Sequence, residues 1–287
     1  MYALIALGYT MVYGIIELIN FAHGDVYTLG SFFSLAILGM IGVDGVVHGP
    51  AGILIAIGVI VLAALLCGIV GVLIERLAYR RLRNAPRLAP LITAIGVSFI
   101  LENIMQLWKG PTPVPFPQFL PDPHFSAGSV SFDAREIIVV AVSVGFMILL
   151  QIVIYRTRLG KAMRATAQDR DAAQLMGINV NATIAWTFFI GSALAGVAGF
   201  VSGIYYGSTF FYNGYQAGLK AFTAAVLGGI GNIGGAVLGG FVIGMVETMT
   251  SACISDQWSV VAVFSILVLV LVFRPSGLLG EQLPEKG

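Results

Sequence analysis

The chain has 287 residues, 58% of them hydrophobic and only 10% charged, which excludes an ordinary soluble core and marks an all-α polytopic membrane protein embedded in a lipid bilayer. Its formal net charge is +1, and the basic residues fall in short loops between apolar stretches instead of one patch, so no nucleic acid is expected as a partner. Cys67 and Cys253 lie in or beside apolar segments and suggest neither a disulfide framework nor a metal site.

A membrane helix needs about 20 apolar residues at roughly 1.5 Å rise each. The first apolar region, 1–41, is interrupted near residues 17–25 by Glu17, Asn20, His23 and Asp25. Residues 1–16 are short for a full span, and the start, without a basic region or cleavage site, does not read as a cleavable signal peptide. A span over 51–74 follows, then a loop at 75–88 carrying Arg76, Arg80, Arg81, Arg83 and Arg87. The next span, 89–107, leads into 108–135, where the prolines from Pro111 to Pro123 forbid a helix and predict an irregular loop capping the pathway. Spans over 136–155, 182–205 and 257–273 enclose a second interrupted region, 218–252, broken near residues 228–235. The pattern predicts about eight transmembrane segments with two interrupted helices, in one transmembrane domain covering 1–287.

Orientation follows from the distribution of Lys and Arg. The loop 75–88, the stretch 156–181 and the tail with Arg274 and Lys286 carry twelve of them, against Lys109, Arg135 and Lys220 on the other side. The stretch 156–181 and the C-terminus are therefore expected in the cytoplasm, and 108–135 and the N-terminus outside.

Residues 156–181 form a basic, alanine-rich insert between two apolar spans. Gly160 precedes a run of good helix formers through Arg164 to Ala167, and Asp169 is placed to cap a second short helix ending at Gly177, a residue suited to a left-handed cap. Ala162, Ala165, Ala172 and Ala173 keep such helices slim, while Leu175 and Met176 offer apolar anchors to a partner. Composition alone favours a simpler reading, in which the arginines only fix topology.

Gly229, Gly231 and Gly234 match the spacing of a dinucleotide-binding fingerprint, but they lie in an apolar membrane segment without the required strand-turn-helix setting. No phosphate-binding G-x-x-x-x-G-K-[ST] motif occurs, so ATP hydrolysis is not expected in this chain and no cofactor is assigned to it. Gly231, Gly235 and Gly239 recur every four residues, as do Gly191, Ala195, Gly199, Gly203 and Gly207, a spacing that lets membrane helices approach closely. The run Gly228–Gly235 around Asn232 exceeds that need and suggests an unwound break lending backbone groups to a passing zwitterion, or a hinge. Asn20, His23, Gly229, Gly231, Asn232 and Gly234 are accordingly the substrate-pathway candidates, although Asn20 and His23 equally suit the satisfaction of exposed backbone. Glu102, Asn103, Gln106 and Glu247 are further polar residues at membrane depth that should pair or line water, whereas Asp25 and Lys220 also suit an interfacial position.

Within the insert, Asp171-Ala172-Ala173 followed by Gly177 resembles the Glu-Ala-Ala-x-x-x-Gly cytoplasmic loop of ABC importer permeases. Together with residues 2–30, 160–179 and 220–244, it is similar to the permease of branched-chain amino acid ABC importers, LivH-type. The resemblance implies a non-enzymatic, multi-pass subunit of a bacterial inner membrane that moves branched-chain or other hydrophobic amino acids inward. It also implies a second permease of LivM type, two cytoplasmic ATPase subunits that use the ATP, and an external solute-binding protein. Gly160, Arg164, Asp171, Ala172, Ala173, Leu175 and Gly177 are then the ATPase-coupling residues. Asp171 stands where the family loop has Glu, and the Ile-x-Leu-Pro ending of the longer loop is absent. Permeases of this class also carry urea, short amides and other small solutes, and a gradient-driven transporter is a further alternative. An intramembrane enzyme fares worst, because no nucleophile setting or metal-ligand cluster is evident.

Overall fold

The computed structural model describes residues 1–43, 45–83, 85–86, 88–121, 123–127, 130–274 and 276–280. Arg87 and Lys286, both counted in the charge asymmetry, lie outside the described residues. The chain is built from helices α1 (Tyr2–Ile16), α2 (His23–Ile41), α3 (Pro50–Ile74), α4 (Leu88–Lys109), α5 (Ala134–Arg156), α6 (Arg158–Gln168), α7 (Arg170–Leu175), α8 (Val180–Tyr206), α9 (Asn213–Gly228), α10 (Ile233–Cys253) and α11 (Asp256–Phe273). Among the described residues seven helices are long and apolar enough to cross a membrane. The shorter α1 and α9, at 15 and 16 residues, flank the interruptions, so the polytopic all-α architecture stands with both predicted breaks.

α8 is the axis of the molecule, because small residues leave its backbone open on several sides. Gly191 faces the backbone of Gly8 on α1, and Gly199 faces the backbone of Tyr27, Gly30 and Ser31 on α2. Gly196 meets Ala63 and Cys67 on α3, while Gly203 lies beneath the ring of Phe116. A β-carbon at Gly199 would stand 2.6 Å from the Ser31 amide nitrogen, so no larger residue fits without parting the helices. The four-residue spacing seen in the sequence thus serves two different helices and a loop, and Gly196, off that spacing, serves a third helix.

α3 starts on Pro50, whose missing N–H is harmless at a first helical position. It continues through a π turn (Glu75–Tyr79) and a 3₁₀ turn (Arg80–Leu82) into a rod ending at Leu82. Widened turns of this kind shift the register of a helix face, and here the shift accompanies a fully buried Glu75. Its carboxylate accepts from Arg80 Nε at 3.2 Å and Nη2 at 2.9 Å and from Arg83, which also donates to Asn181 Oδ1 at 2.6 Å. The basic loop is therefore clamped to the start of α8, a role beyond topology. Burial pulls the Arg83 guanidinium below its usual value, and Glu75 opposes that.

The stretch 108–135 departs from the irregular loop expected of it. Strand β1 (Val114–Pro115) pairs antiparallel with β4 (Ser208–Thr209), and β2 (His124–Ala127) pairs with β3 (Val130–Asp133). Phe116, Phe119 and Leu120 are buried, the two phenylalanines against Phe200, and the Phe119 carbonyl accepts from Val47 N at 2.8 Å. Prolines still exclude a helix, but Phe116 and Phe119 dock the segment over the end of α8 remote from the insert.

Substitutions of glycine separate packing contacts from open positions. Gly199→Val is expected to reduce the yield of folded protein severalfold, whereas Gly244→Ala, with nothing within 4 Å of the added atom, should leave it unchanged or improved. Detergent-stable monodisperse protein per cell, measured for both, checks this; equal yields would remove α8 from its central place.

Candidate functional site

The insert is two consecutive helices after α5, each with its own cap. Thr157 Oγ1 accepts from Gly160 N at 3.1 Å and donates to Val153 O at 2.5 Å, turning the chain from α5 into α6. Gly160 itself presses on the Val153 and Ile154 carbonyls, where a β-carbon has no room. Arg164 donates to the Ile154 carbonyl and lies 5.4 Å from the Tyr155 ring centre. Asp169 caps α7 by accepting from the Asp171 and Ala172 amides, both at 2.9 Å. Gly177, at φ 81°, closes it: Ile178 N bonds Ala173 O and Gly177 N bonds Gln174 O, each at 3.0 Å, the paired bonds of a Schellman cap.

Those contacts sort the seven coupling candidates into two groups. Gly160 and Ala173 are buried against their own chain, Ala173 only 4% exposed, and Arg164 binds back to α5. Asp171, Ala172, Leu175 and Gly177 face outward, and Leu175 and Met176 are 89% and 82% exposed. Two such apolar side chains on a capped helix form a projecting anchor. Arg170, not among the candidates, donates to Ile15 O at 3.0 Å and ties the insert to the last turn of α1, whose carbonyls lack helical partners. Arg80, Arg83 and Arg170 line a cleft of about 660 Å³ beside the anchor with Gln174.

At the first break, Glu17 takes a left-handed conformation (φ 55°) as the cap of α1. The chain turns back, so that α2 begins beside the middle of α1: His23 packs edge-on to Tyr9 with centres 4.8 Å apart, and Gly8 faces its ring. Asn20 is buried and its Oδ1 accepts from the Tyr79 hydroxyl at 3.2 Å. Asp25 is 1% exposed and accepts from Ser98 on α4, so the interfacial position considered for it is corrected. Gly24 abuts Gly214 and Gly218, and a β-carbon at Gly214 would stand 2.6 Å from the Thr28 hydroxyl and 2.7 Å from Asp25 Oδ1. The first turns of α2 and α9 therefore meet inside the protein. That requires a third interruption, 207–212, ahead of α9, which begins at Asn213 instead of near 218. Gly207, at φ 67°, was a signal for it, read only as part of a packing stripe.

The glycine break is used differently from the first. Gly229 and Gly231 take φ 104° and 95°, conformations closed to other residues without strain. Asn232 Oδ1 caps α10 by accepting from Gly235 N at 2.9 Å, and its Nδ2 donates to Leu279 O at 2.8 Å. Leu278 N and Leu279 N bond Leu227 O and Gly228 O at 2.8 and 3.0 Å. The loosened backbone is thus satisfied by residues 276–280 after α11, which also crowd Gly229. Gly231 borders a cavity of about 120 Å³ with Met163 and Arg164 of the insert, and Gly234 has only Asn232 near it. Asn20 and His23 stand apart from Gly229, Gly231, Asn232 and Gly234; the two breaks approach through Ile19 and Ile230, which share a narrow apolar gap with Tyr9, Tyr13 and Phe222.

Comparison with known proteins bears on this arrangement over its whole length. The family model described as branched-chain amino acid transport system / permease component matches residues 1–273. The LivH permease of the high-affinity branched-chain amino acid transport system of Salmonella typhimurium is 44% identical over 99% of this chain and 93% of its own length. The BraD permease of Pseudomonas aeruginosa is 46% identical over the same shares. A probable LivH permease of Methanocaldococcus jannaschii is 28% identical over 96% of this chain and 88% of its own. No solved structure matches. A membrane bundle in which broken helices meet and a capped helix pair projects from one end is thus found in a chain that belongs to the family of branched-chain amino acid transport permease components.

Proposed function

We propose that the chain is the membrane subunit of an importer that carries branched-chain or other hydrophobic amino acids into the cell, driven by ATP hydrolysis in two separate cytoplasmic subunits. A second permease completes the pathway, and a solute-binding protein outside delivers the substrate. The observation that carries this reading is the exposed Leu175–Met176 anchor on a helix capped at both ends and tied by Arg170 to α1. A loop serving only topology would not hold two large apolar side chains in water on a rigid support. A push on that helix reaches α1 through Arg170, so movement of an ATPase is transmitted to the first interrupted region.

Leu175→Asp should leave the permease inserted at native amounts yet lower ATP-driven leucine uptake at least tenfold and lose the ATPase on purification, because a charge would be buried in the partner's groove. Ala173→Glu should instead deplete the permease itself, since that residue is internal. Native uptake and co-purification by Leu175→Asp would sink the docking assignment.

The orientation is tested by impermeant thiol reagents on two single cysteines in a Cys253→Ser background, leaving the buried Cys67. Thr112→Cys is expected to react in intact cells and Gln168→Cys only after permeabilisation, both sites being exposed. Labelling of Gln168→Cys in intact cells would reverse the topology.

A further inference from the structure

From the sequence, Glu247 is a polar residue at membrane depth expected to pair or line water, and Lys220 also suits an interfacial position. The structure joins them: Lys220 Nζ, on α9, lies 2.5 Å from Glu247 Oε1, on α10. An ionised side chain on a membrane helix is costly, so a pair is the least that physics requires. Such a pair can be packed inside protein or line water. This pair is not closed off. The side chains keep 13% and 21% of their exposure and form one wall of a cavity of about 330 Å³, at the lower end of the roughly 300–1,000 Å³ of small-molecule sites.

Chemistry around the cavity has a definite pattern. Besides the cation and the anion, it presents the polar groups of Ser208, Asn213 and Gln216, while Ala217 and the Tyr206 ring give it an apolar side. The Lys220 ammonium also stands 5.9 Å over the Tyr2 ring, a cation–π contact that steadies it in either pairing state. A solute with adjacent carboxylate and ammonium groups and an apolar side chain matches the ion pair and its apolar flank. Its carboxylate replaces Glu247 at Lys220, its ammonium replaces Lys220 at Glu247, and its side chain lies toward Ala217 and Tyr206. One ion pair becomes two, with no charge left unpaired. A solute of net charge fails that exchange, because one member of the pair loses its partner without a substitute.

We propose that Lys220 and Glu247 form a zwitterion-binding station of the pathway, held as an ion pair when empty and opened by the α-carboxylate and α-ammonium of an amino acid. The station rests on the functional reading above and names the groups that recognise its substrate. Placement suits the role. The cavity is bordered by Tyr206 and Ser208, at the end of α8 remote from the insert, while the apolar gap of Tyr13, Ile19, Phe222 and Ile230 lies further toward the insert. Lys220 also rides on a helix interrupted at both ends, at 207–212 and at Gly229–Asn232, so it can part from Glu247 without bending a helix.

The test uses the complete importer, with its second permease, ATPases and binding protein, in proteoliposomes. Lys220→Met, Glu247→Gln and the exchanged double variant Lys220→Glu/Glu247→Lys are compared with wild type for assembled complex, leucine uptake and ATP hydrolysis stimulated by loaded binding protein. Each single variant is expected to assemble in reduced amount and to move at least tenfold fewer leucines per ATP hydrolysed. The exchanged variant regains assembly, since its pair is intact, but not uptake, because the two charges now face the wrong ends of the substrate. Lys220→Arg, keeping charge and place, should recover a large part of the uptake. If the survivors of the single variants transport at the native rate per complex, or if the exchange restores uptake together with assembly, the pair is structural and the station is overturned. Wild-type complex that moves urea or butyramide but no leucine would instead overturn the functional reading, and the station with it, because no zwitterion then passes.

Discussion

Everything in this molecule hangs on how near two helix backbones can come. In a bilayer the hydrophobic effect does not press helices together, so contact has to be made by shape. α8 meets that requirement by presenting hydrogen where other helices present side chains: Gly191, Gly196, Gly199 and Gly203 each admit a different neighbour. Because α1, α2 and α3 all register on the same helix, α2 can begin midway along α1 and still be surrounded. The broken helices are consequences of that scaffold, not exceptions to it.

A break inside a membrane protein needs its own partners for the peptide groups it frees. The three interruptions solve the problem differently. Residues 17–22 bend back under a left-handed Glu17 and lean on Tyr79, through Asn20. Residues 207–212 are partly paired as a strand, with Ser208–Thr209 against Val114–Pro115 of the docked loop. The glycine break borrows the segment after α11, which supplies both N–H donors and a carbonyl acceptor. Each solution ties distant parts of the chain together, so that no break floats free of its surroundings.

Much of this was legible in the sequence, and what was legible has a common cause. Local rules located the elements: about 20-residue apolar runs gave the spans, Asp169 and Gly177 gave the ends of α7, and the uneven arginines gave a common side for the loop and the insert. Tertiary placement was not legible, since it depends on which residues meet. Nothing local distinguishes Ala173, turned inward, from Ala172, turned outward, without the roll of a six-residue helix. Gly207 looked like one more small residue in a stripe because its positive φ leaves no trace in composition. Glu75 and Lys220 gave no sign of their partners, which come from a π turn that shifts one helix face and from a helix on the far side of a break. The Pro-rich segment hid its order because prolines announce what a chain cannot be and are silent on where Phe116 and Phe119 will dock.

The meeting of α2 and α9 at Gly24 and Gly214 has an electrical side. A helix carries about half a positive charge at its N-terminus, and here two such ends converge within the bundle with the buried Asp25 carboxylate beside them. Burial makes the field of these peptide dipoles reach farther than it would in water. Two half charges together match one carboxylate, so the peptide dipoles stand in for the basic side chain that a buried acid otherwise needs. An acid balanced in this way depends on no partner side chain, only on Gly24 and Gly214 letting the two helix ends meet.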